Sequence, residues 1–196
     1  MNLKRTPLKV IISLIVVSIL VCLALLAAVF WMADPLNIRA PSDQKLISVF
    51  FAHKESFEKL KEMVTEDNQR GCNFNYPHFK GSNLNASRRQ EYIDLISKIN
   101  PGLHVGTGST PVMYCIFSTG GILAVGSEWE KGIVYAPNSY TTNGSVYSSW
   151  QVNGVPSRPQ WIGVLLTNLD DARTLPVNIY LRPLETNWFL IYHRTD

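Results

Sequence analysis

The side chains best suited to chemistry are few: three cysteines and four histidines in 196 residues. Cys72 and Cys115 are the pair outside the long apolar run that holds Cys22. They admit two readings. A disulfide between them would close a loop of roughly 44 residues and contribute on the order of 3–4 kcal/mol. Alternatively, Cys115 is a small core residue and Cys72 is free. A Cys-His nucleophile needs thiol and imidazole within hydrogen-bond reach. Cys72 and His78 are close in sequence but sit in an irregular stretch with no recognisable signature, so no catalytic residue is assigned. His53, His78, His104 and His193 show no metal-ligand spacing, so no metal is expected. Gly106-Thr107-Gly108-Ser109-Thr110 lacks the third glycine of a dinucleotide loop and the Gly-Lys-Ser/Thr of a P-loop. No cofactor is expected. Glu55, Glu58, Glu62 and Glu66 alternate with Lys54, Lys59 and Lys61, the pattern of a solvated mixed-charge face.

Tyr140, Tyr147 and Trp150 are the candidate recognition residues. They punctuate a stretch rich in Ser, Thr, Asn and Gly, a composition that suits an adaptable binding loop; the alternative is a lid tucked onto the sheet. Asn85-Ala86-Ser87 and Asn143-Gly144-Ser145 match the glycosylation sequon at the frequency chance provides.

The elements that would position these residues begin with a membrane segment. From Val10 to Met32 there is no charged residue, and Ser13 and Ser18 are the sole polar side chains. At about 1.5 Å per residue this run reaches across a hydrocarbon core of about 30 Å. Lys4, Arg5 and Lys9 precede it, which places residues 1–9 in the cytoplasm and the remainder across the membrane. A cleaved signal peptide fits less well, since bulky Trp31 stands where a small residue belongs. Val21 before Cys22 likewise speaks against lipoprotein processing.

Residues 33–41 form a linker, in which Pro35 and Pro41 interrupt any continuing helix. Ser42 reads as an N-cap. Leu46, Phe50, His53, Phe57, Leu60 and Val64 then recur every three or four residues, predicting one amphipathic helix over 43–67. Residues 68–86 read as a loop. Ser87 to Gln90 forms a capping box opening a second helix that Asn100-Pro101-Gly102 ends. The period then shortens. Two apolar runs around Gly120-Gly121 predict a hairpin, and Gly132–Tyr135 a third strand. Residues 137–160 read as a long loop and Trp161–Thr167 as a strand. A last hairpin spans Asn178–Arg182 and Trp188–His193. Helices followed by strands predict an α+β fold, two helices packed on an antiparallel β-meander over 42–196.

Charge narrows the function further. Lys plus Arg total 18 against 15 Asp plus Glu, a net of +3. From residue 41 onward the count is 14 against 14. A neutral outer domain has no basic face for nucleic acid.

Pro41-Ser42-Asp43, Leu46-Ile47, Phe50, His53, Phe57-Glu58, Leu60, Met63 and Asp67 resemble the start of small bacterial envelope proteins. Tyr180-Leu181-Arg182-Pro183-Leu184-Glu185-Thr186-Asn187-Trp188-Phe189-Leu190 resembles their C-terminal run. The resemblance covers the two ends of the outer domain. It implies an envelope location and one small domain, with no activity attached.

The expected protein is therefore anchored in a bacterial inner membrane through residues 10–32, with a periplasmic domain that binds an envelope partner and catalyses nothing. Two alternatives are an envelope hydrolase without a recognisable motif and a pilin-like subunit. The second lacks a glycine cleavage site before the apolar run, and Pro35 and Pro41 break its helix.

Overall fold

The computed structural model describes residues 8–33, 40–69, 71–75, 78–80, 83–107, 112–122, 127–149, 151–152, 155–156, 160–175 and 179–195. Helix α1 (Leu8–Ala33) holds the apolar run. Its side chains are described over residues 12–28, and all are exposed. Among the described residues no helix is long and apolar enough to cross a membrane. Residues 12–28 span roughly 25 Å at helical rise.

Ser42 caps α2 (Asp43–Ala52), its hydroxyl oxygen accepting from the Lys45 N–H at 3.3 Å. The helix expected over 43–67 is two helices. At His53 the backbone turns to φ −120°, ψ 22°, and α3 (Lys54–Glu66) starts afresh. His53 serves both: its N–H donates back to Val49 and Phe50, and its carbonyl accepts from Ser56 and Phe57. No glycine or proline marks this break, so periodicity runs straight through it. A second correction concerns α4 (Ala86–Ile99). Its N-cap is Asn85 rather than Ser87, with the Asn85 amide oxygen accepting from the Arg88 N–H at 2.9 Å.

The strands are β1 (Asn73–Asn75), β2 (His78–Lys80), β3 (His104–Thr107), β4 (Met113–Ile122), β5 (Ser127–Tyr135), β6 (Tyr140–Thr142), β7 (Ser145–Ser148), β8 (Gln151–Val152), β9 (Val155–Pro156), β10 (Gln160–Leu165), β11 (Ile179–Glu185) and β12 (Trp188–Thr195). Ten form one sheet in the order β2-β1-β3-β4-β5-β12-β11-β10-β7-β6, and β8 pairs with β9 apart. The α+β class holds, but the sheet is mixed rather than a plain antiparallel meander. β10 and β11 run parallel, joined by a crossover that includes a short 3-10 helix, Leu169–Thr174.

The hairpin expected around Gly120-Gly121 does not form: β4 pairs with β5, which contains the expected third strand Gly132–Tyr135. β4 continues through Gly120 and Gly121, which face Trp129 and Glu128; its turn lies outside the described residues. The long loop of 137–160 contains a hairpin: Thr142 pairs with Ser145 around Asn143-Gly144. Both turn residues have positive φ, 49° and 71°, the two-residue geometry that Asn-Gly favours.

Strand alternation sorts the core into two layers. Toward the helices lie Phe50, Phe57, Leu60, Tyr92, Ile96, Val105, Cys115, Ile133, Trp188, Leu190 and Tyr192. On the other face Val134, Val146, Ile162, Leu181, Phe189 and Ile191 form a second cluster. β12 feeds both, which explains its unbroken run of buried side chains from Trp188 to Tyr192. Trp188 sits between Phe50 and Phe57, ring centroids 5.4 and 5.8 Å away, and its Nε1–H donates to Glu58 Oε1 at 2.7 Å.

Candidate functional site

The β4 and β3 strands bring Cys115 and Cys72 near the same layer but not together. Val105 stands opposite both Cys115 and Phe74. Cys72 lies two residues before Phe74, where its carbonyl accepts from the Thr107 N–H and its own N–H donates to Thr107 Oγ1. Two strand spacings sideways and two residues along put the Cα atoms roughly 12 Å apart, beyond the about 4.4–6.8 Å a disulfide spans. Neither forms a disulfide, and they are 4% and 0% exposed. Burial pushes both thiol pKa values up, away from nucleophilic use.

Tyr140 and Tyr147 face each other on the β6–β7 hairpin, their rings stacked at 5.7 Å and 18°. Tyr140 remains 45% exposed. They belong to a strand pair at the sheet edge rather than to a loop. Trp150 lies outside the described residues. The Gly106–Thr110 stretch is in part strand β3, with 108–111 outside the described residues. Among the described residues no three His, Cys, Asp or Glu side chains gather as a metal site.

A buried charge cluster escaped the sequence reading. Lys131 in β5 is fully buried, its Nζ 2.6 Å from Asp170 Oδ1 and 2.8 Å from Asp43 Oδ1. That Asp43 oxygen meets the ammonium as an ion pair without hydrogen-bond alignment. Asp43 Oδ2 accepts from Arg182 at 2.9 Å and from the Leu169 N–H at 2.8 Å. Desolvation raises the Asp43 pKa, but Lys131, Leu169 and Arg182 together outweigh it and hold the carboxyl below its ordinary value. Two cations answer two carboxylates, so the cluster neutralises itself. It clamps the start of α2 to the sheet and the 3-10 helix. The signal was legible: Trp129, Lys131 and Ile133 share one strand face, and a lysine between two core residues requires a buried partner.

The opposite sheet face carries an open cleft of about 230 Å³, lined by Asn73, His104, Gly106, Tyr114, Ile116 and Glu130. Registers place these side by side: Asn73 opposite Gly106, Gly106 opposite Tyr114, and His104 opposite Ile116. Glu130 enters from β5, its carboxylate 3.7 Å from His193 Nδ1. Burial, with Glu130 adding to it, raises the Tyr114 pKa, so its phenol stays protonated. No single stretch of sequence announces this cleft, since four strands contribute.

No protein-family model, no curated protein and no solved structure matches this chain.

Proposed function

We infer that this chain is a single-pass membrane protein whose outer domain serves as a binding or accessory module of the bacterial cell envelope. Residues 1–9 form a basic cytoplasmic tail, 10–32 the anchor, 33–41 the linker and 42–196 the periplasmic domain. The observation that carries the reading is α1. From Ile12 to Leu26 its large apolar side chains are 49–65% exposed on every side of the helix. Such a surface exceeds what a soluble protein leaves in water. The uncharged run of sequence extends past the described side chains on both ends, from Val10 to Met32. The reading of the domain as a binder rather than an enzyme rests on its polar groups. The buried ionic cluster is closed and self-neutral, the thiols are buried, and the open cleft offers recognition groups.

Paired reporter fusions after residue 40 test the topology. An alkaline phosphatase fusion should be active and a cytoplasmic fluorescent fusion dark. The reverse pattern, or release of the full chain by carbonate at high pH, would overturn the anchor.

A further inference from the structure

Gly106 is a glycine the fold does not ask for. It lies inside β3, paired to Asn73 on one side and Tyr114 on the other. A Cβ there would meet nothing nearer than the Cys72 carbonyl oxygen at 3.9 Å, and its φ lies outside the left-handed region. Gly132 makes the contrast: a Cβ on it would collide with the Cys115 carbonyl oxygen at 2.2 Å. A glycine within a strand is less stable there than alanine, because it loses more conformational freedom on folding. A strand glycine without a steric cause marks a place where something else approaches the backbone. Alternation puts the missing side chain of Gly106 on the outer face, with His104, because Val105 and Thr107 are buried in the core. Its absence is what leaves the cleft open.

The chemistry of the lining selects the occupant. Glu130 is the one lining residue with a formal charge at neutral pH. Among the described residues its carboxylate has no salt-bridge partner nearer than the His193 imidazole at 3.7 Å, and its side chain is 46% exposed. The carboxylates of Asp43, Asp67, Glu58 and Glu185, by contrast, are each held by a cation within 3.0 Å. Lys131, next in sequence, points to the opposite face, buried among Asp43 and Asp170. The Tyr114 ring offers a π surface to a cation, and the amide of Asn73 and the imidazole of His104 offer acceptors. The cleft is smaller than the about 300–1,000 Å³ of pockets that hold drug-sized ligands. It suits one side-chain-sized group.

We propose that the cleft formed by Asn73, His104, Gly106, Tyr114, Ile116 and Glu130 binds an ammonium or guanidinium group, with Glu130 as its counter-ion and Gly106 as the opening that admits it. This gives the outer domain's binding role a ligand chemistry and rests on that role. It does not rest on the membrane topology, which the reporter fusions test separately. The group has two sources, a basic side chain of a partner polypeptide or a free small amine.

Calorimetric titration of the full chain in non-ionic detergent separates them, using arginine amide, its uncharged analogue citrulline amide and the peptide Gly-Arg-Gly-Gly, each acetylated at its α-amine so that the guanidinium is the sole cation. Arginine amide should bind with a Kd on the order of millimolar, and citrulline amide at least about tenfold more weakly, since charge-assisted hydrogen bonds are the strong ones. Glu130→Gln and Gly106→Leu should each weaken arginine amide by about tenfold or more. Gly106→Ala should fold at least as stably as the parent, showing that the glycine is not structural. A peptide at least about tenfold tighter than the amide supports a polypeptide source, and equal binding supports a free amine. Absence of arginine amide binding, equal citrulline binding, or binding unaffected by Glu130→Gln would each overturn the proposal. Should Gly106→Leu fail to fold, the near-isosteric Glu130→Gln decides alone.

Discussion

The ammonium of Lys131 and the carboxylate of Asp43 meet at 2.8 Å in a fully buried setting, strand β5 against the first residue of α2. A strand lysine with no exposure is stable as a cation only while its partners stay. Arg182, 31% exposed at its side chain, can turn to water if Asp43 is lost; Lys131 cannot.

Asp43→Ala should therefore cost about 1–3 kcal/mol, because it removes one of the two carboxylates at the buried Lys131 and leaves Asp170, at 2.6 Å, as its counter-ion. Lys131→Met should cost less, because Asp43 keeps Arg182 and the Leu169 N–H. Urea denaturation followed by tryptophan fluorescence measures both. A Lys131→Met loss equal to or larger than that of Asp43→Ala would contradict this ordering.

Acid should unfold the domain through the same group. The folded Asp43 pKa lies below its ordinary 3.8. A depressed carboxylate contributes its stability in full above the unfolded value and loses it as pH falls through the folded one. Glu58 behaves alike from its ordinary 4.5, where burial raises the pKa but Lys61 and the Trp188 N–H lower it further. Stability should be level between pH 7 and about 5, then fall below 4.5 and again below 3.8. In Asp43→Asn the lower limb should flatten. An unchanged limb would assign the acid sensitivity elsewhere.

The thiols give a third outcome. Cys72 and Cys115 are buried and form no disulfide, so Ellman's reagent should leave both unreacted in the native domain. On unfolding without reductant, both should label. Labelling that appears only after reduction would show a bridge that the register of β1, β3 and β4 does not permit.

The helices and five of the strands, β4, β5, β10, β11 and β12, were legible from their runs of apolar residues; β1 and β2 fall in 68–86 and β6 to β9 in 137–160, both of which read as loops because such short strands carry no apolar run. The breaks in those elements were not. His53 interrupts a continuous apolar stripe with backbone angles no side chain announces. The pairing of β12 with β5, and the parallel step from β10 to β11, depend on which apolar faces meet, and each of these four strands is apolar enough to suit several neighbours. Asn143-Gly144 was legible in principle: Asn-Gly flanked by Tyr-Thr-Thr and Ser-Val-Tyr is a hairpin signal, although the same residues also match a sequon. The cleft was illegible because Asn73, His104, Tyr114 and Glu130 come from four strands whose order the sequence does not state.

That hairpin is itself testable. Gly144 has φ 71° with open space around it, so a larger residue there meets conformational strain rather than a clash. Gly144→Val should cost about 1–2 kcal/mol locally. Its carbonyl accepts from the Leu165 N–H at 2.8 Å, so strain at the turn should reach β10. Hydrogen exchange should accelerate over Tyr140–Ser148 and at Leu165 while Leu190 and Tyr192 stay protected. Acceleration across the whole sheet would show that the hairpin folds as one unit with the core.

The last outcome concerns where the outer domain begins. Among the described residues, both apolar layers draw on positions from Ala40 onward and on none in α1. Ala40 is 7% exposed within the helix-side layer, so the core starts inside the segment that reads as linker. Asp43, the fourth residue of a fragment 40–196, carries the charge that Lys131 and Arg182 face. A fragment 40–196 should fold cooperatively without α1. A fragment 44–196 removes Ala40, the Ser42 cap and Asp43 together. It leaves the Lys131 ammonium to Asp170 and strips α2 of its cap, so the two fragments should differ by at least about 2 kcal/mol. Urea melts of the pair at one pH measure the difference. Equal midpoints would mean that the Asp43 clamp is dispensable, and a disordered 40–196 would mean that α1 takes part in folding the domain it precedes.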